Sequence, residues 1–474
     1  MALWLESHSP GEPLGFLDHH IKCGDSIVGL AHREELEKGI PDEAFKTLPG
    51  DDKEIAASFL KKNKGERRLR EREDSGVQLT MTATMENTVQ EAMAEYRTLN
   101  LLPERTPEEI RRKEKSYKKF LDSKGYSWLK AMADTKVAQF FIPKTQANKP
   151  YLITDADFRT MLRGYAGWQN QQTAKAVAVG LDNRFFHWFL EFPEIFQQGG
   201  FDCILGNPPY LGGKKISGAY GDDYANAIKS FYLPNYATTD LVAYFLRRYI
   251  QIIKKNSFFS IITTNTISQG DTRDAGLAIL ENDNTINFAI KSTKWPGQAN
   301  LEVSLFSIYK GNWNGKRVLN NFVVEFIDSL FSDSFSTKSP QPLFISSNRC
   351  YQGSIILGDG FCLNNQEASA LIQKDSMYDH VIRPYIIGDD LNNDYKQRPS
   401  RYVINFQSWP LEKAKQYTDL FEIVYKKVYP ERQKKKDKGY REKWWQFARR
   451  SVELYNNINN RSEEHTSELQ SRQS

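Results

Sequence analysis

Apolar positions in this chain follow two different rules. Between Arg184 and Lys310 short apolar runs of strand length alternate with helix-like segments, the pattern of α/β architecture. The candidate strands are Cys203 to Leu205, read as a short buried strand, Phe258 to Thr263, Ile286 to Ile290 and Val303 to Tyr309. Residues 31 to 180 are instead rich in charge and helix signals. Thr106-Pro107-Glu108-Glu109 offers an N-cap, a proline at the first helical position and an acid at the third. The spacing predicts an α-helical insertion between two strands of the sheet, with the mixed-charge run Lys61 to Glu73 as a solvated helix face or a nucleic-acid contact. Phe185 to Phe189 leads into the strand at 203 and is expected to be core. Near the start, Ala2 to Glu6 reads as the end of an apolar helix and Ile21 to Val28 as a strand running into a turn. After Gly311 the pattern breaks into short strands, loops and paired aromatics.

Asn207-Pro208-Pro209-Tyr210 directly follows the run Phe201 to Gly206, at the carboxyl end of a strand, where open α/β sheets bind ligands. Each proline fixes its own φ and holds the preceding residue out of the helical region, so the turn is stiff. The Asn207 amide oxygen and the Pro208 carbonyl are two acceptors suited to the two hydrogens of an exocyclic amine. Drawing on both hydrogens takes the nitrogen lone pair out of ring conjugation and makes it nucleophilic. Tyr210 offers a face for a base, and base–aromatic stacking is worth roughly 1–3 kcal/mol. A proline-rigid turn with no chemistry is the alternative for these four residues taken alone.

The 474 residues, 40% hydrophobic and 13% aromatic, suffice for about three folded domains. No apolar stretch approaches the roughly 20 residues that span a bilayer, and the amino terminus lacks signal-peptide regions, so no membrane and a cytoplasmic location are expected. Four dispersed cysteines and the adjacent His19-His20 support neither a metal site nor a disulfide framework. The net charge of +5 is uneven. Residues 381 to 460 carry 17 Lys+Arg and 10 Asp+Glu, an excess of +7, which leaves −2 for the rest. A local positive segment suits phosphate contact, although a solvated charged surface has the same composition.

Phe201 to Tyr210 resembles the catalytic loop of amino-group methyltransferases. Asp240 to Arg248 resembles the helix after that loop, Phe258 to Gly270 the next strand and loop, and Trp295 to Ser304 a later motif of the Eco57I-like (type IIG) restriction-modification methylases. The resemblance implies an adenine-specific (N6) DNA methyltransferase of a restriction-modification or related defence system. Its cofactor would be S-adenosylmethionine and its partner double-stranded DNA, alongside restriction or defence-system subunits. The fold it implies is α/β: a partial Rossmann-like methyltransferase sheet with a helical insertion, followed by an α+β target-recognition domain. Asn207, Pro208, Pro209 and Tyr210 would be the catalytic turn, acting on an adenine extruded from the duplex. The Gly-Asp-Ser segment would lie on the cofactor side, making Gly24 and Asp25 the cofactor-binding candidates; a turn aspartate capping its own backbone is the other reading of Asp25.

The implied organisation is a partial cofactor-side segment at 1–30, the insertion at 31–180, the catalytic segment at 181–312, a target-recognition region at 313–460 and an artefactual tail at 461–474, where RSEEHTSELQS resembles a translated sequencing adapter. In the recognition region Tyr351 to Ser354, Arg383 to Tyr385, Arg401 to Phe406 and Tyr440 to Arg450 interleave basic and aromatic residues, with Trp444 and Trp445 read as core in preference to base contacts. The family's glycine-rich cofactor loop and following acid do not occur in the sequence, so a carboxyl-terminal fragment, inactive alone, is expected. Two rival functions remain from the sequence: a non-catalytic DNA-recognition module, and an RNA or protein-glutamine amide methyltransferase.

Overall fold

The computed structural model describes residues 13, 15–73, 83–236, 238–295, 301–333, 351, 353–435, 437–449 and 451–459. Ala2 to Glu6, residues 296–300 of the Trp295-to-Ser304 motif, Gln352, Arg450 and the tail 461–474 lie outside the described residues. The chain divides into two compact units, Met1–Thr337 and Lys338–Ser474.

The first unit is built on a mixed six-stranded sheet in the order β1-β2-β4-β3-β5-β6. Its strands are β1 Phe201–Gly206, β2 Ile253–Thr264, β3 Thr285–Lys294, β4 Glu302–Tyr309, β5 Arg317–Leu319 and β6 Phe322–Val324. β1 and β2 pair in parallel, Gly206 opposite Ile261, because the chain between them makes a helical crossover long enough to return in the same direction. β4 enters antiparallel between β2 and β3, as a short return from β3 requires. β2 alternates buried and half-buried positions from Ser257 onward, and Phe259, Ile261, Phe306 and Ile308 form a core with Leu246, Tyr249 and Ile252. All four candidate strands are present.

Two expectations about local structure change. The Cys203-to-Leu205 strand forms but is not buried: Cys203 is exposed and Leu205 is 81% exposed. β1 has a single neighbour, β2, and among the described residues nothing covers the face of Cys203 and Leu205. On its opposite face Ile204 packs on the core, and at the start of the strand the Phe201 ring lies against Trp188, Phe192 and Phe196. Ile21 to Val28 is not a strand either. It makes one parallel bridge, Asp25 to Phe185, and its Ile27 carbonyl is then taken by two side chains: Tyr232 Oη donates to it at 2.6 Å and Arg248 Nη2 at 3.1 Å.

The insertion is helical, with α1 Lys53–Glu73, α2 Ala83–Asn100, α3 Pro107–Leu121, α4 Lys124–Ala138, α5 Asp155–Leu162 and α6 Gln171–Asp182. The expected capping box starts α3, Thr106 and Glu109 each accepting from the other's amide. α4 is buried along most of its length. It is fastened to the 184–188 segment by His187, whose Nε2 lies 2.9 Å from Asp134 Oδ1 and whose Nδ1 accepts from the Leu30 amide at 3.1 Å. The Lys61-to-Glu73 run is only partly a solvated face, since Asn63 is buried and Arg67 and Arg70 pair with Asp42 and Asp155 at 3.5 and 3.4 Å. Phe185, Phe186 and Phe189 are core. The sheet continues past residue 312 because the hairpin β5–β6 pairs onto β3, so the compact unit ends later than the expected boundary.

The crossover between β1 and β2 is made by α7 Gly213–Tyr220, α8 Asp222–Phe231 and α9 Leu241–Ile252. The second unit has a small antiparallel sheet ordered β7-β9-β8, from Cys362–Leu363, Arg401–Ile404 and Ile382–Tyr385. It packs with α10 Asn365–Lys374 and α11 Thr418–Gln433 around Phe361, Val403, Leu420 and Val424. Trp444 and Trp445 are buried in that core. Among the described residues no helix is long and apolar enough to cross a membrane.

Candidate active site

β1 ends at Gly206 and delivers Asn207 and Pro209 exposed, with Pro208 buried between them. The burial of Pro208 and the fixed φ of both prolines hold the Asn207 side chain outward. The turn is anchored at its far end, where Leu241 N donates to Leu211 O at 3.0 Å. Asp240 caps α9 through Val242 N at 3.0 Å, and its carboxyl is pushed up by burial, with the Val242 and Leu211 amides opposing that shift. Tyr210 turns its hydroxyl back on the turn. It donates to Asn207 Oδ1 at 2.6 Å and lies 3.5 Å from Ile262 O, and burial pushes its pKa up.

A cavity of about 440 Å³ opens beside Pro209, lined also by Gly24, Asp25, Tyr220, Tyr224 and Phe245. That volume lies within the range of small-molecule sites. Gly24, Asp25 and Pro209 therefore border one space, although about 180 residues of sequence separate them. Asn207, Pro208 and Tyr210 do not line it; Asn207 is exposed, Pro208 buried and Tyr210 half-buried.

Asp25 caps its own turn and also lines the cavity. Its Oδ1 accepts from Ile27 N at 3.3 Å, a local cap, while Oδ2 accepts from the Tyr224 hydroxyl at 2.6 Å at the cavity wall. Burial pushes the Asp25 carboxyl up, and the Tyr224 hydroxyl, the Ile27 amide and the charge of Arg248 partly counter that. Burial and the neighbouring carboxylate in turn raise the Tyr224 pKa. Gly24 is required by packing, since a Cβ there would meet Phe186 Cδ2 at 2.6 Å.

Tyr224 and Arg248 were not legible as site residues. Arg248 is buried without a carboxylate at bonding distance, and its guanidinium donates to Gly29 O at 2.7 Å, Ile27 O and Tyr232 Oη. It thereby fixes the Asp25 loop to α9, the helix that follows the proline turn. The one available signal for Tyr224 was its spacing from Tyr220, whose ring lies 4.9 Å away.

The arrangement joins an α/β sheet, a stiff proline turn at a strand end and a carboxylate-bearing cavity beside it. Residues 107–292 match the family model described as Eco57I restriction-modification methylase, which bears out the family resemblance; the match takes in the proline turn, Asp240 to Arg248 and Phe258 to Gly270 and ends before Trp295. No curated protein sequence matches the chain. Among solved structures, the type IIL restriction-modification enzyme MmeI, determined in complex with DNA, is similar at 14% identity and a TM-score of 0.42, over 78% of this chain and 56% of that one. A Listeria monocytogenes structure described as a class I S-adenosylmethionine-dependent methyltransferase is similar at 13% identity and a TM-score of 0.20, over 49% of this chain and 80% of that one. The chain thus spans little more than half the length of MmeI.

Proposed function

We propose that the protein is an S-adenosylmethionine-dependent methyltransferase that modifies the exocyclic amine of adenine in double-stranded DNA, within a restriction-modification or related defence system. The observation that carries this reading is the shared cavity: Asp25 and Gly24 border the same space as Pro209 of the Asn207-to-Tyr210 turn. The Eco57I match over residues 107–292 supports the reaction class.

The cavity suits the cofactor. The Asp25 carboxylate is an acceptor for the amino or hydroxyl donors of an adenosyl group, and Tyr220, Tyr224 and Phe245 supply apolar wall. S-adenosylmethionine would contribute the electrophilic methyl group. Asn207 Oδ1 and the Pro208 carbonyl would accept the two hydrogens of the target amine, holding its lone pair toward the cavity. Tyr210 would stack on the extruded base. Help of this kind is positional and electrostatic and involves no covalent enzyme intermediate. Residues 313–460, with the excess of basic residues after 381, would grip the duplex.

The test is transfer of a labelled methyl group from S-adenosylmethionine to mixed-sequence duplex DNA by the full-length gene product, followed by nucleoside analysis. N6-methyladenine as the labelled product supports the reading. Label on cytosine corrects the base, and label on protein or RNA with none on DNA overturns the substrate.

A further inference from the structure

The proline turn runs directly into a cationic ledge. Residues Leu211 to Lys215 read Leu-Gly-Gly-Lys-Lys, and α7 begins at Gly213. Gly213 is packed tightly on the chain before α9: a Cβ there would lie 2.4 Å from Thr239 O and 2.6 Å from Thr238 C. With the Leu241–Leu211 backbone hydrogen bond, this contact pins the start of α7 to the anchor that holds the catalytic turn. Ile216 is fully buried beneath the helix, whereas Lys214 and Lys215 are exposed.

Neither ammonium group has an ion-pair or hydrogen-bond partner among the described residues. The remaining exposed residues of α7 before Tyr220 are Ser217, Gly218 and Ala219, so these two ammonium groups carry the charge of that surface. The nearest acids along the chain, Asp222 and Asp223, open α8 beyond Tyr220. Tyr220, at the other end of α7, lines the cavity. The rise from Lys214 to Tyr220 is about 9 Å at helical pitch, so the ledge and the cavity wall are two ends of one short helix.

We propose that Lys214 and Lys215 are backbone-phosphate contacts for duplex DNA beside the turn that takes the target amine, an assignment that rests on the function proposed above. A polyanionic strand whose base enters the Asn207 turn carries phosphates on both sides of that base. Two cations on the anchored first turn of α7, without an ion-pair partner among the described residues, neutralise them without breaking an ion pair seen there. Contacts to phosphate set the register of a protein on the duplex and carry no sequence information. This ledge therefore fixes the target nucleotide over the turn, and the second unit is left to read the sequence.

The experiment is a salt titration of binding to a fluorescein-labelled, mixed-sequence duplex by anisotropy, with the whole chain. Four proteins are compared: wild type, K214A/K215A, K214R/K215R, and K46A/K53A, which removes two exposed lysines elsewhere. Each phosphate contact contributes about 0.9 to the slope of log affinity against log salt. The slope is expected to fall by about 1.8 in K214A/K215A and to hold in the arginine pair and in K46A/K53A. An unchanged slope in K214A/K215A overturns the assignment, as does an equal fall in K46A/K53A, which would show that only net charge matters. Absence of duplex binding by the wild type is a different failure, because it removes the proposed substrate itself.

Discussion

Tyr210 donates its hydroxyl to Asn207 Oδ1 at 2.6 Å, so the acceptor proposed to hold an amine hydrogen is already occupied in the free site. An amide oxygen has two lone pairs, so an entering amine shares Oδ1 with that hydroxyl or competes with it for the better geometry. Tyr210→Phe keeps the ring and frees the acceptor, removing a bond of about 1 kcal/mol net. Methyl transfer per encounter is expected to rise up to about fivefold in Tyr210→Phe. It should fall about fivefold or more in Tyr210→Ala, which loses roughly 1–3 kcal/mol of stacking. Steady-state kinetics of the full-length gene product check this, and a phenylalanine variant as impaired as the alanine one would show that the hydroxyl has a positive role.

Asn207→Ala is expected to abolish methyl transfer and leave DNA affinity within a few-fold of wild type. The side chain is exposed at the end of β1, and its proposed role is on the amine, with no part in phosphate contact. Tritiated-methyl incorporation and filter binding measure the two quantities; near-full incorporation would remove Asn207 from the chemistry.

The Asp25 carboxyl titrates above its ordinary 3.8 because burial disfavours its charge. Only the ionised form accepts from a ligand donor with both oxygens, so S-adenosylhomocysteine affinity should fall as pH drops through the raised value. The decline should begin above the usual aspartate range. Tyr224→Phe removes the hydroxyl that donates to Oδ2, a bond that favours the ionised form, and so should move the decline to higher pH. Calorimetric titration across acidic pH would show the order, and coincident profiles would mean that Tyr224 does not tune the carboxylate.

Lys144 is buried, its ammonium donating to Gln139 O at 2.9 Å, and burial lowers its pKa to about 8. Below about pH 8 the folded protein carries a buried charge. Between about 8 and the unfolded value of 10.5 the unfolded state binds more protons, so this group makes stability rise with pH. Lys144→Met should flatten that rise by on the order of 1 kcal/mol or more, read as the difference in melting temperature between variant and wild type along the pH series. Parallel curves would place the titration elsewhere.

The sequence exposed the sheet and the proline turn because both are local signals. Apolar runs of strand length mark β1 to β4, and two consecutive prolines stiffen whatever they flank. It did not disclose that β1 is an edge, since Cys203 and Leu205 are apolar whichever neighbours they have and exposure depends on what packs beside them. Ile21 to Val28 misled for the opposite reason. Its composition suits a strand, but Gly24 and Gly29 and the side chains of Tyr232 and Arg248 satisfy it as a looped segment. The partnership of Asp25 with Tyr224 spans 199 residues and leaves no periodic trace in the chain.

Equilibrium dialysis of the 474-residue chain against tritiated S-adenosylmethionine tests the central claim most directly, because the shared cavity carries the functional reading. Saturable binding is expected, unchanged by Asn207→Ala and weakened about tenfold or more by Asp25→Ala, as loss of a hydrogen bond to a charged group predicts. No saturable binding, or binding indifferent to Asp25→Ala, would contradict the account.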